Sequence, residues 1–131
     1  LVDDMIAHAR AEDPNECCGL IAGVDGTAER GYRITNETPS PYRYKLDSQQ
    51  QFNAEKDAER RGLSPVAFYH SHTHGAPYPS STDVRLAISS GYVDELIYYI
   101  LVSLENKVNP EVRLYTVTRL GEIIEVELRV D

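Results

Sequence analysis

Cysteine occurs only at Cys17 and Cys18 in the 131 residues of this chain. Neighbouring side chains on an extended strand point to opposite faces, and a bridge between them would be badly strained. An internal disulfide framework is therefore excluded, and the reduced thiols point to the cytoplasm. Long apolar runs are missing as well. The longest, residues 96–102, has seven residues where a membrane span needs about 20, so no transmembrane helix is expected. Basic charge is short: 13 Lys and Arg stand against 21 Asp and Glu, a net charge of −8. The one basic pair, Arg60 and Arg61, has Glu59 beside it. Nucleic acid and anionic membranes draw proteins through neutralised phosphates, so both are set aside as partners. The first ten residues carry Asp3 and Asp4 and lack the basic start and apolar core of a secretory leader. Several chemistry-bearing patterns are also absent. There is no Gly-rich phosphate loop, no His-Glu-x-x-His helix, no Gly-x-Ser-x-Gly elbow and no His-x-Glu with a later Pro-Cys-x-x-Cys.

What is present fits one folded domain over residues 1–131, with 41% hydrophobic and 26% charged residues. Residues 2–12 read as a helix with Val2, Met5, Ile6 and Ala9 on one stripe, ended by Pro14. Residues 17–22 form a short apolar segment bounded by Gly23 and the Asp25–Gly26 turn, which predicts a buried strand; residues 30–35 follow as a second. Pro39 and Pro41 mark a loop before the next segment, residues 42–46. A helix begins at Asp47–Ser48, runs to about Arg61 and stops at Gly62. Residues 66–70 fit a central strand, 73–79 a loop, and Ser80 or Ser81 caps a helix through Ser89. Residues 97–104 are the most strand-like segment. Residues 111–118 and 122–130 alternate polar and apolar around a turn at Leu120–Gly121. Six or seven strands and three helices predict an α+β domain, with helices on a mixed, largely antiparallel sheet.

The chemistry concentrates in residues 70–83. His70 and His72 end a predicted strand, where side chains two apart share a face. Both imidazoles can then approach one metal ion, and Asp83 returns in the first turn of the next helix, where the helix dipole favours a carboxylate. Three protein ligands leave a fourth tetrahedral position for water, the feature that separates a catalytic zinc site from a closed structural one. Two His and a carboxylate also suit iron. Glu16, at the start of the first strand, is a candidate general base, and Ser80 a candidate donor to an oxyanion. Plainer readings stand beside these. A His-x-His pair can be coincidence, Ser80 with Asp83 is a capping box in its own right, and Glu16 alone reads as a solvated acid. Cys17 and Cys18 read as small buried hydrophobes rather than a nucleophile. His8 faces outwards or packs locally on its helix, and the nine tyrosines read mainly as packing, with Tyr78 beside the metal loop a possible substrate contact.

Taken together, Glu16 within Glu-Cys-Cys-Gly-Leu-Ile-Ala-Gly, His70-Ser-His72, and Ser80-x-x-Asp83 after seven intervening residues resemble the JAMM motif of the MPN metalloproteases. The resemblance covers nearly the whole chain. It implies a zinc hydrolase that cuts peptide or isopeptide bonds next to ubiquitin-like C-termini. His70, His72 and Asp83 match the zinc ligands, Glu16 the residue that activates water, and Ser80 the oxyanion stabiliser. Residues 44–48, 70–73 and 78–80 further resemble bacterial enzymes that release cysteine from a ubiquitin-like sulfur carrier protein, which makes the tail of such a carrier the expected substrate. A non-catalytic MPN scaffold and a metallopeptidase acting on other small peptides are the competing readings. One departure is Thr73-His74, where many members have Pro after the second His. A continuing strand would bring His74 onto the face of His70 and His72, but Gly75 and Pro77 predict that the strand has broken.

Overall fold

The computed structural model describes residues 1–90, 92 and 97–129. Helix α1 (Val2–Glu12) precedes strands β1 (Cys18–Val24) and β2 (Thr27–Ile34). Helix α2 (Ser48–Arg60), strand β3 (Ser64–His72) and helix α3 (Ser81–Ser89) follow, then β4 (Tyr98–Ser103), β5 (Glu111–Val117) and β6 (Ile123–Val126). The strands form one six-stranded sheet in the order β2-β1-β3-β4-β5-β6. All neighbours are antiparallel except β3 and β4. Parallel neighbours need a crossover connection, and this one contains residues 73–79 and α3. The only parallel step among the described strands is therefore also the place where chain is spent on a loop and a helix cap.

Strand β1 is buried from Cys18 to Gly23, as expected of a strand covered on both faces. On one face Met5 and Ala9 of α1 pack with Cys17, Ile21, Tyr69, Ile100 and Val102. On the other, Leu20, Ile34, Phe68, Tyr99 and Val117 pack with Ala54 of α2 and Ala87 of α3. Alternation along β3 thus sends Tyr69 towards α1, and Phe68, His70 and His72 to the face of α2 and α3. Gly19 is required by packing, since a Cβ there would overlap the Tyr69 ring. Cys17 and Cys18 fall on opposite faces, both free and buried. Burial pushes their thiols up to about 11 and about 12, which leaves them unreactive packing groups.

Several expectations are revised. Strand β2 begins at Thr27 rather than at residue 30. Strand β3 runs from Ser64 through Pro65, which sits opposite Ala22 where the β1–β3 register shifts. The missing proline N–H is tolerated at such an irregularity. The stretch 42–46 forms no strand; its sole ladder contact is an isolated bridge between Asn36 and Leu46. The last strand stops at Val126, residues 127–129 lie outside the sheet, and Val130 lies outside the described residues. His8 is not turned outwards: it is buried, with Nδ1 2.7 Å from the Tyr69 hydroxyl. Among the described residues no helix is long and apolar enough to cross a membrane.

Candidate metal centre

The site forms where β3 ends and the crossover begins. His70 and His72 project from one face of β3, their ring centroids 5.3 Å apart. Beyond them the chain breaks out of the strand, and Ser80 opens α3 with a reciprocal capping box. The Asp83 N–H donates to Ser80 Oγ at 3.1 Å, and the Ser80 N–H donates to Asp83 Oδ2 at 2.9 Å. The cap that starts the helix is also what aims the Asp83 carboxylate back at β3. Its Oδ2 lies 3.0 Å from His70 Nε2 and 2.9 Å from His72 Nε2.

This arrangement fits a metal ion on two grounds. A tetrahedral ion with its ligands at about 2.0–2.1 Å separates them by about 3.3 Å, close to the two nitrogen–oxygen gaps. More tellingly, His70 Nε2 is buried and has no hydrogen-bond partner, although Asp83 Oδ2 is near. A buried unsatisfied nitrogen is costly, and a cation between it and the carboxylate removes the cost. Among the described residues His70, His72 and Asp83 are the group of donors close enough to share one ion.

The electrostatics follow from crowding without a cation. Burial pushes His70 below the ordinary histidine value, against the pull of Asp83. Burial also opposes charge on His72, but its bonds to Asp83 and to the Ala76 carbonyl prevail and raise its pKa. For Asp83, burial is overcome by the adjacent His70, the His72 contact and the Ser80 N–H, which hold the carboxyl well below the usual range. Glu16 is 3% exposed, and burial is the main reason its carboxyl is pushed up to about 8. Nearby His72 opposes that rise and Asp83 adds to it. Glu16 Oε1 is another buried atom without a partner. A carboxyl so displaced beside a donor cluster is what a proton-transfer site needs.

Glu16, His70, His72, Ser80 and Asp83 are thus brought to one end of the sheet. His74 is not: it is exposed, past the end of β3, and outside the donor group. Three further residues belong to the surroundings, and the contacts they make there have no short-range signal. Tyr44 stacks on His70, with centroids 4.3 Å apart. Ser103 and Tyr115 donate to loop carbonyls at Gly75 and Pro77. Tyr44 begins the 44–48 stretch that carries part of the resemblance, which says nothing of a stack on His70, and Ser103 and Tyr115 read as ordinary strand positions.

A family model described as prokaryotic homologues of the JAB domain matches residues 1–117. The chain belongs to this family. A CysO-cysteine peptidase from Mycobacterium tuberculosis is 40% identical over 119 residues, covering 89% of this chain and 78% of the relative. A desampylase from Haloferax volcanii is 34% identical over 98 residues, 70% of each chain. The solution structure of a Desulfitobacterium hafniense protein superposes with a TM-score of 0.82 at 33% identity, covering 96% of this chain and 85% of that one. JAB domains are typically metal-dependent, in keeping with the donor group at the end of β3.

Proposed function

We propose that this protein is a zinc-dependent peptidase that hydrolyses the bond after the C-terminal Gly of a ubiquitin-like sulfur carrier protein. Its site is assigned to His70, His72 and Asp83 as ligands, Glu16 as general acid/base and Ser80 as oxyanion donor. The observation that carries the reading is the coincidence, at one sheet end, of a three-donor group with an orphaned nitrogen and a separate buried carboxyl with an unpartnered oxygen. The names of the two relatives, a CysO-cysteine peptidase and a desampylase, support hydrolysis and this kind of substrate.

When bound, the zinc ion supplies a Lewis acid that polarises the scissile carbonyl, makes water a better nucleophile and, by its charge, draws the Glu16 pKa down from its metal-free value. Glu16 takes a proton from the attacking water at Oε1 and returns it to the departing amine. Burial raises its proton affinity, which suits the second of these steps. Ser80 is exposed, and its Oγ accepts the Asp83 N–H, which orients the hydroxyl from behind. Its own proton makes no hydrogen bond to the described residues and is free to meet an oxyanion. Asp83 is held by the helix cap, so loss of the cap would disturb a ligand and the oxyanion donor together.

The reading is tested by incubating zinc-supplied protein with a carrier protein ending in Gly-Gly followed by cysteine, and weighing the product by mass spectrometry. Loss of one cysteine, abolished by a chelator and restored by zinc, is the expected result. One zinc bound with no cleavage of that carrier would move the substrate to other small peptides. No metal bound at all would leave a scaffold.

A further inference from the structure

We propose that Tyr115 and Ser103, two residues of β5 and β4 outside the motif, are positioning residues for the metal centre. They clamp residues 73–79 and so fix which ring nitrogen of His72 faces Asp83. The inference deepens the metal reading above and rests on it.

The argument starts at His72. Its Nδ1 lies 2.9 Å from the Ala76 carbonyl oxygen and its Nε2 2.9 Å from Asp83 Oδ2; both oxygens accept, so without a cation the two compete for the hydrogen of the neutral ring. A cation held at Nε2 would take the lone pair there and leave the hydrogen on Nδ1, donated to the Ala76 carbonyl. The tautomer of a metal-binding histidine is set by the bond its other nitrogen makes. Here that bond depends on where the loop places one carbonyl.

Residues 73–79 have little internal structure to do this. Within the loop the only backbone bond runs from the Tyr78 N–H to the Ala76 carbonyl, 2.8 Å. The carbonyls on either side of Ala76 are held from the sheet instead. Ser103 Oγ donates to the Gly75 oxygen at 2.7 Å, and the Tyr115 hydroxyl donates to the Pro77 oxygen. Both donors are rigidly placed, Ser103 being 2% and Tyr115 1% exposed. The Leu104 N–H continues the clamp by donating to the His72 carbonyl at 2.9 Å. The Tyr115 ring also supports the edge of the Tyr78 ring, centroids 5.7 Å apart and planes at 85°, two residues before Ser80. Two buried hydroxyls on adjacent strands therefore bracket the carbonyl that orients the ligand.

The test uses the full chain with Tyr115→Phe, Ser103→Ala and Ser103→Thr, the last retaining a hydroxyl. Zinc affinity is measured by chelator competition, the ring nitrogen shifts of His72 are read by NMR on the zinc-loaded protein, and folding is checked by thermal melting. Tyr115→Phe and Ser103→Ala are expected to stay folded, weaken zinc by about 10–100-fold and lose the single Nδ1-protonated signature, while Ser103→Thr recovers most of both. Folded variants that bind zinc within about twofold of the parent and keep the parent's His72 signals would overturn the proposal. If Tyr115→Phe does not fold, the two Ser103 variants decide. If the parent binds no zinc, the metal reading fails by itself, and His72 ring signals unchanged from the parent in the folded, metal-free variants would then overturn the clamp.

Discussion

Tyr44 lies flat on His70, their rings 4.3 Å apart and inclined by only 21°, and both are buried. The tyrosine comes from a segment whose only ladder contact is the Asn36–Leu46 bridge, so this packing, rather than the sheet, places it. The stack covers one flank of a proposed ligand whose Nε2 has no hydrogen-bond partner, which keeps that nitrogen dry and available. Tyr44→Phe preserves the ring and is expected to cost about 1 kcal/mol or less. Tyr44→Ala opens a cavity against His70 and is expected to cost about 3–5 kcal/mol and to weaken zinc binding. Denaturant unfolding of the metal-free proteins measures the first effect, and chelator competition the second. Equal stability of the two variants would show that the stack contributes nothing.

The two histidines of the loop region separate cleanly. His72 lies within reach of Asp83 Oδ2, whereas His74 is exposed beyond the strand end. His72→Ala is expected to lose stoichiometric zinc and with it cleavage, and His74→Ala to keep both. Elemental mass spectrometry of the purified variants gives the answer directly. Metal retained in the first and lost in the second would transfer the ligand role to His74.

Ser80 caps α3 and is proposed to serve the oxyanion, two roles that substitution can divide. Its Oγ caps α3 by accepting the Asp83 N–H, and its hydroxyl proton is assigned to the oxyanion. Ser80→Ala removes both, with an expected loss of about 1 kcal/mol of stability and a fall in kcat of about 10²–10³-fold. Ser80→Asp restores a capping acceptor but has no hydroxyl to donate, so stability should recover while kcat does not. Ser80→Thr should recover both in part. A Ser80→Ala enzyme with the parent kcat would remove Ser80 from the oxyanion role.

Why the sequence shows the donor group so plainly and its surroundings so poorly is a matter of range. His70 and His72 share a face because they are two apart on a strand, and Ser80 reaches Asp83 because they are three apart at a helix start; both relations are local. The bonds from Ser103 to Gly75 and from Tyr115 to Pro77 span 28 and 38 residues, and no local pattern encodes them. The parallel β3–β4 pairing that brings them close is equally non-local. The strand errors share a cause. Residues 27–30 are exposed on an edge strand and lack the alternation that betrays a half-buried one. Residues 42–46 alternate, with Tyr44 turned inwards, but meet the rest of the chain through a single isolated bridge rather than a ladder. His8 reads as outward-facing or locally packed, because its partner, the Tyr69 hydroxyl, is 61 residues away.

Glu16 offers a test that needs no substrate as well as one that does. Glu16→Gln keeps the shape of the side chain and is expected to retain zinc while kcat falls by about 10²–10⁴-fold; full activity would end its assignment as acid/base. In the metal-free protein the same residue should control stability against pH. The Glu16 carboxyl has its ordinary value of 4.5 in the unfolded chain and about 8 when folded, chiefly through burial. Between these values the folded state holds a proton that the unfolded state has released, so the folded state loses stability as pH rises through this window. This is opposite to an ion-paired carboxylate such as Asp57, which Tyr32 and Arg61 hold down to about 2 and whose stabilisation is instead lost as pH falls from 3.8 towards that value. Replacing Glu16 by Gln removes a titrating group and keeps a polar one. Urea unfolding in excess chelator should therefore give similar stabilities for parent and variant near pH 4.5, with the variant pulling ahead steadily up to about pH 8. Parallel profiles across that range would mean that the folded protein leaves Glu16 as well solvated as the unfolded chain does.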